Sequence, residues 1–348
     1  MGTHRALAGT LTGLRVVVAI VVLLALLPAT THAQLSPDRT YYGFDREVPV
    51  TVAMPEGQEG ETSIVLFNAR GDRVARAEVL PGRVDLASFF PILWDQTTPI
   101  VLYAQLFVGA EGGEGGEGDQ ANGTPVGAPL VVQPMVTPRR ASTASGQIEW
   151  DNAPRIFSGL RIYVDKLLKL NTTEGTMVFR LRPDEAPNTV WHIRELAAGG
   201  FYTDIAFHRV LPTHPSGKPF VIQVGDPIAT GNGGPGVFID LEPSTLEHDF
   251  GVLSMARTPD PDSNGSQFFV ALSREATVHL NGVYTAFGEA VEGAEAIVAI
   301  ERTPLADARK GKPVEPPRIT TAELVDAPPF GTGPEPVTRP VNPGAGER

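Results

Sequence analysis

The stretch that decides the fold is Asp262-Ser263-Asn264-Gly265-Ser266-Gln267-Phe268-Phe269, read together with Phe207-His208-Arg209 upstream of it. Asn-Gly is a turn dipeptide that accepts positive φ, and Gln-Phe-Phe-Val-Ala-Leu after it has the aromatic, apolar character of a strand. The spacing predicts a polar turn feeding Gln267 and Phe269 onto one strand face, because residues two apart in a strand point the same way. An amide donor and an apolar platform then share one shallow pocket. Such a surface binds; it holds no nucleophile.

Outward from that stretch, composition narrows the classes. The chain has 348 residues, 42% of them hydrophobic and 20% charged, which is the composition of an ordinary globular protein with room for two domains. A formal net charge of −12, with no basic stripe interleaved with aromatics, argues against nucleic acid as a partner. The absence of cysteine removes disulfides, thiolate chemistry and zinc sites that need sulfur. His192, His208 and His214 have no carboxylate at ligand spacing on a predicted helix, so no metal site is expected. Residues 231–236 are glycine-rich but lack the Gly-Lys-Ser/Thr ending of a phosphate loop, and a barrel turn is the better reading.

The N-terminus reads as an address. His4, Arg5 and Arg15 precede an apolar run over 16–27, and Thr31-His32-Ala33 resembles a small-residue cleavage site. Residues 1–33 are therefore expected to be a signal peptide cut after Ala33, leaving an exported chain, periplasmic or extracellular, with no membrane span. The alternative is an uncleaved anchor, which would need a longer apolar core.

Residues 34–140 alternate as strands and turns, with a hairpin around Asn68-Ala69-Arg70-Gly71-Asp72, and suggest a small β-sandwich. The Gly/Glu tract inside 109–128 is expected to be a disordered loop, 141–156 a linker, and the Pro/Gly-rich 327–348 a disordered tail. Between linker and tail, 157–326 shows many short strands with helices predicted only after Pro187 and at 294–302. Closing an antiparallel barrel would remove the exposed edges of so many strands.

The phrases of this second region carry a resemblance. Pro187-Asn188-Thr189-Val190, Gly200-Phe201-Tyr202, Phe207-His208-Arg209-Val210, Gln223-Val224-Gly225-Asp226-Pro227, Gly251-Val252-Leu253-Ser254-Met255-Ala256-Arg257, the quoted stretch and Val283-Tyr284-Thr285-Ala286-Phe287-Gly288 stand in order and spacing as in the cyclophilin-type peptidyl-prolyl cis/trans isomerases. Residues 157–326 resemble that family; residues 40–156 do not. The resemblance implies a mainly β fold, an eight-stranded antiparallel barrel capped by two helices, and a reaction without cofactor or metal on proline-containing polypeptides.

It also implies roles. Arg209 matches the catalytic arginine, with Gln223 and Gln267 positioning it or the substrate backbone. Phe220, Val221, Phe269 and Leu280 would floor the prolyl pocket, His208 would shape it, and His279 and Tyr284 would line its rim. Ala256, Arg257 and Thr258 match the segment that anchors the peptide.

Three departures stand out. Thr213-His214-Pro215-Ser216-Gly217-Lys218-Pro219 makes a connection several residues longer than usual and could displace Phe220. Val224 replaces a glycine, and its Cβ could tighten the backbone behind Gln223. His279 replaces a tryptophan that favours cyclosporin binding in some members. A second reading follows: a proline-binding scaffold with catalysis blunted by the insertion, whose N-terminal domain docks a protein partner.

Overall fold

A computed structural model describes residues 34–54, 60–95, 99–109, 123–144 and 147–340; the expected signal peptide and most of the Gly/Glu tract lie outside them.

The N-terminal region is a β-sandwich. One sheet has three strands, Gln34–Pro37, Pro49–Ala53 and Gly82–Asp85. The other has six, in the order Tyr41–Gly43, Phe157–Val164, Thr124–Val136, Leu102–Val108, Thr62–Asn68 and Arg73–Val79. Leu35, Val50 and Val52 of the first sheet and Ile64, Leu66, Leu106, Leu130 and Ile162 of the second bury against one another, the facing-layer core of a sandwich.

Three boundaries expected from sequence move. Residues 124–128 are strand, with Thr124, Pro125 and Val126 opposite Val108, Phe107 and Leu106. The expected linker holds a hairpin, Ala141–Ala144 against Gln147–Trp150, whose Ala141 amide donates to Asp262 Oδ2 at 3.2 Å. Phe157–Val164, expected to open the second domain, instead pairs with Thr124–Val136 and completes the six-stranded sheet. Its apolar alternation fits either sheet, and only the pairing partner decides. The second domain therefore starts at Asp165.

The second domain is one antiparallel sheet whose nine strands run, in order, Ile205–Ala206, Arg318–Asp326, Lys166–Thr172, Gly175–Leu181, Ala286–Glu292, Val252–Met255, Phe268–Ala271, Val221–Val224 and Arg209–Leu211. The two edge strands are the two ends of one continuous segment, separated only by Phe207-His208. The sheet therefore curls until its two end strands lie in one short segment of chain.

Alternation then sorts side chains. Ile222, Val224, Leu253, Met255, Phe268 and Val270 point into the barrel core, where Val190, Ile193 and Ala197 of the helix Pro187–Ala198 and Ile297 and Ile300 of the helix Ala294–Glu301 join them. Val224 thus fills the core with its Cβ and leaves Gln223 outside. Val221, Gln223 and Phe269 face outward, and the candidate site is built on that outer face.

The tail is not loose over 327–340. Phe330 stacks on Phe67 and Tyr103 at ring distances of 5.1 and 4.8 Å, and its amide donates to Gln105 Oε1 at 2.7 Å. Farther on, the Val337 amide donates to the Ala290 carbonyl at 2.8 Å, and Arg339 pairs with Glu301 at 2.7 Å. Pro/Gly composition keeps the segment out of helix and sheet; these anchors order it as a strap across both domains. Trp191, on the outer face of the helix Pro187–Ala198, provides the other joint. It packs between Tyr41 and Tyr163 of the sandwich with the Arg161 guanidinium 4.9 Å above its ring.

Candidate active site

Arg209 and Gln223 are direct cross-strand partners, so their side chains meet on one face. Arg209 Nη1 donates to Gln223 Oε1 at 3.2 Å, Gln223 Nε2 donates to Gln267 Oε1 at 3.0 Å, and Gln267 Nε2 donates to the Gly233 carbonyl at 2.8 Å. Each amide uses its oxygen toward the cation and its nitrogen away from it. The order of donors fixes both amides and aims an exposed guanidinium from a fixed base.

The far end of this chain is itself pinned. The Asp226 carboxylate accepts from the amides of Ile228, Thr230 and Gly231 at 2.9, 2.8 and 2.6 Å. Burial pushes its pKa up, but the amides of Ile228, Gly233, Gly231 and Thr230 outweigh that and hold it below the usual carboxylate range. Gly233 has no alternative: a Cβ there would lie 2.0 Å from Asp226 Oδ1.

Beside the polar chain lies the apolar floor. Val221, Phe269 and Leu280 are buried together, with Leu211, Phe220, Ala256 and Tyr284 packed around them. Phe269 rests edge-on against Tyr284 at 5.9 Å and face-on against His248 at 5.9 Å. His248, fully buried, is fixed by its Nδ1 donating to Asn281 Oδ1 at 2.9 Å and by Ser254 Oγ 2.8 Å from Nε2. Burial holds its pKa down, so it supports the floor as a neutral ring.

The expected anchor segment 256–258 lies at the edge of a cavity of about 410 Å³ that it shares with Gln223, Gln267 and residues 231–238. Arg257 is locked by its guanidinium over Tyr284 at 4.7 Å and by donation to the Val283 carbonyl at 3.1 Å. Thr258 holds Ser263 Oγ through its amide at 3.0 Å. His208 adjoins Arg209, and burial lowers its pKa, against a hydrogen bond to the Ala206 backbone, keeping it neutral next to the guanidinium.

Two sequence readings need correction. Asn264-Gly265 is not a positive-φ turn: neither residue has positive φ among the described backbone. Asn264 instead bridges to Ile239, whose amide donates to its carbonyl at 2.8 Å. The turn lies earlier, at Pro261-Asp262. Gly265 lies against Pro235 and Phe238, and its carbonyl accepts from His192 Nε2 at 3.0 Å. Nor does the insertion displace Phe220, which remains against the floor.

Asp226, His248 and Glu242 were missed in the sequence. Glu242 caps the helix Pro187–Ala198 by accepting from the Asn188 and Thr189 amides at 3.0 and 2.7 Å, in place of an N-cap side chain. The His-Asp phrasing of 248–249 and Gly-Asp-Pro at 225–227 were the available signals. Among the described residues no cluster of three or more His, Cys, Asp or Glu is placed to hold a metal, and no helix is long and apolar enough to cross a membrane.

Comparison with known proteins places the second domain in a family. Residues 167–324 match the family model described as cyclophilin type peptidyl-prolyl cis-trans isomerase/CLD. Peptidyl-prolyl cis-trans isomerase B of Bacillus subtilis is 44% identical over 119 residues, covering 34% of this chain and 77% of the relative. Peptidyl-prolyl cis-trans isomerase-like 2 of Rhizopus delemar is 39% identical over 142 residues, and there the match spans only 25% of the relative's length. A crystal structure of a Cryptosporidium parvum cyclophilin type peptidyl-prolyl cis-trans isomerase shares 30% identity over 47% of this chain and 99% of that one, with a TM-score of 0.42. The chain belongs to the cyclophilin-type peptidyl-prolyl cis-trans isomerase family, enzymes of X-Pro bond rotation.

Proposed function

We propose that the chain is an exported prolyl isomerase that accelerates X-Pro rotation in other exported proteins, with Arg209 as its catalytic residue. The X-Pro amide resists rotation by about 20 kcal/mol because of C–N resonance, and unaided exchange takes tens to hundreds of seconds. In the twisted transition state the nitrogen lone pair leaves resonance and becomes an acceptor. A fixed cation beside it binds that state better than the planar ground state, and the difference lowers the barrier. The supporting observation is the hydrogen-bonded run Arg209, Gln223, Gln267, Gly233 alongside the floor of Val221, Phe269 and Leu280. The floor holds the prolyl ring, and the run holds the guanidinium against recoil. No bond forms and no cofactor is used.

The substrates are proline-containing polypeptides read by one ring and a stretch of backbone, so sequence selectivity is broad. Two-dimensional exchange NMR on an Ala-Pro peptide tests the assignment. Full chain from Gln34 is expected to accelerate cis/trans exchange, and Arg209→Ala to lose about 10²- to 10³-fold of that acceleration while remaining folded. Equal acceleration by the two proteins would remove Arg209 from the mechanism. Export is checked separately by fractionating cells that carry a C-terminally tagged chain; retention of all of it in the cytoplasm, uncut, would reject that part.

A further inference from the structure

The insertion is a built element. The His214 amide donates to the Lys218 carbonyl at 2.7 Å, the Gly217 amide returns to the His214 carbonyl at 2.8 Å, and Gly217 takes a φ of +77° that glycine accepts without cost. Its base is fixed to the barrel. The Phe220 amide donates to the Leu211 carbonyl at 3.2 Å, and Ser273 Oγ donates to the Pro219 carbonyl at 2.7 Å. Within this closed turn the Ser216 amide donates to His214 Nδ1 at 3.3 Å, which orients the ring.

That ring joins two others. His214 lies 5.1 Å from Phe220 and 5.5 Å from His279, and His279 lies 5.8 Å from Phe220, with interplanar angles of 29° and 17° for the two pairs that contain His279. Phe220 belongs to the prolyl floor, whereas His279 is exposed and His214 half-buried. The three rings make a wall that starts at the floor and continues away from it. A residue next to a bound proline is displaced by one Cα step, about 3.8 Å. On the floor's Phe220 side that step carries its side chain onto the wall.

We propose that His214, supplied by the insertion, completes with His279 and Phe220 a subsite that selects a flat, aromatic side chain at one of the two positions flanking the substrate proline. The inference rests on the isomerase reading above. Ring faces at these spacings favour an aromatic partner over an aliphatic one of similar area through offset and edge contacts. A specificity-determining role for the insertion replaces an obstructive one, since His214 packs beside Phe220 and Phe220 stays against the floor.

The test compares cis/trans exchange of the peptides Ala-Xaa-Pro-Ala and Ala-Ala-Pro-Xaa, with Xaa as Phe, Leu or Ala, for the full chain, His214→Ala and His214→Phe. The Ala peptide reads the isomerase itself. The full chain is expected to favour Phe over Leu in kcat/KM by about two- to tenfold at one flank. His214→Ala should bring that ratio close to one with turnover of the Ala peptide unchanged, and His214→Phe should keep it. A Phe/Leu ratio near one at both flanks in the full chain overturns the subsite, as does a ratio that survives His214→Ala. Failure on the Ala peptide in all three proteins would instead overturn the isomerase reading.

Discussion

At the scale of single residues, the candidate site separates an apolar floor from the hydrogen-bonded run that fixes Arg209. Gln223 touches the guanidinium directly and stands between it and Gln267. Removing it frees Arg209 to sample positions away from the amide nitrogen. Gln223→Ala is expected to lower kcat/KM for the Ala-Pro peptide by about 10²-fold, the scale of a misplaced catalytic group, with little change in melting temperature. Arg209→Lys should also fail to restore turnover, since an ammonium lacks the planar fork that engages Gln223 while a second nitrogen faces the substrate. Exchange NMR on both variants measures this directly. Arg209, Gln223, Gln267 and the floor residues were all legible, because the phrases that contain them stand in a fixed order. The supports were not. Asp226 gathers amides from 228–231, and His248 finds Asn281 and Ser254 from across the barrel. Partners brought together only by closure leave no periodic trace in the chain.

At the scale of elements, the same limit explains each moved boundary. The strand character of Phe157–Val164 was readable as apolar alternation, but its sheet was not, since either domain could have accepted it. Gly159 marks the point where it joins the sandwich: φ is +149°, and a Cβ would lie 2.1 Å from the Tyr42 carbonyl oxygen. Gly159→Ala is therefore expected to cost about 2–4 kcal/mol, through backbone strain and separation of the Tyr41–Gly43 strand; urea unfolding followed by far-UV circular dichroism reports it. The helix Pro187–Ala198 was readable on its inner face, where Val190, Ile193 and Ala197 repeat at helical spacing. Trp191 and Arg194 fall outside that repeat, and nothing in the spacing announced that they meet Tyr41, Tyr163 and the Val164 carbonyl.

At the scale of the whole molecule, sandwich and barrel are joined through a buried carboxylate, Asp165. Asp165 is the single residue between the strands Phe157–Val164 and Lys166–Thr172. Burial raises its pKa to about 6 against the opposing charge of Arg194. The folded state thus holds a proton that the unfolded chain has released, and stability from this group falls as pH rises from about 4 to about 6. Asp165→Asn keeps the side-chain oxygen that receives the Lys166 amide and removes the titration. Its melting temperature should exceed that of the parent at pH 7.5 and match it at pH 4, by calorimetry.

The strap is a further joint, beside Asp165 and Trp191. Phe330→Ala empties a half-buried slot against Phe67 and Tyr103, and a loss of about 1–3 kcal/mol is expected. A chain ending at Asp326 should unfold in two calorimetric transitions where the full chain shows one.

The order in which the chain is synthesised adds a consequence. Arg318–Asp326 pairs with both Lys166–Thr172 and Ile205–Ala206, so the barrel cannot close until its last strand has emerged. The slot between Phe67 and Tyr103 waits longer still, for Phe330. Domains ordinarily fold one after another as they leave the ribosome. Here the first-made domain keeps an open aromatic slot until Phe330 emerges, long after its own last strand, Phe157–Val164, has been made, so its packing is finished only by residues that follow the whole barrel.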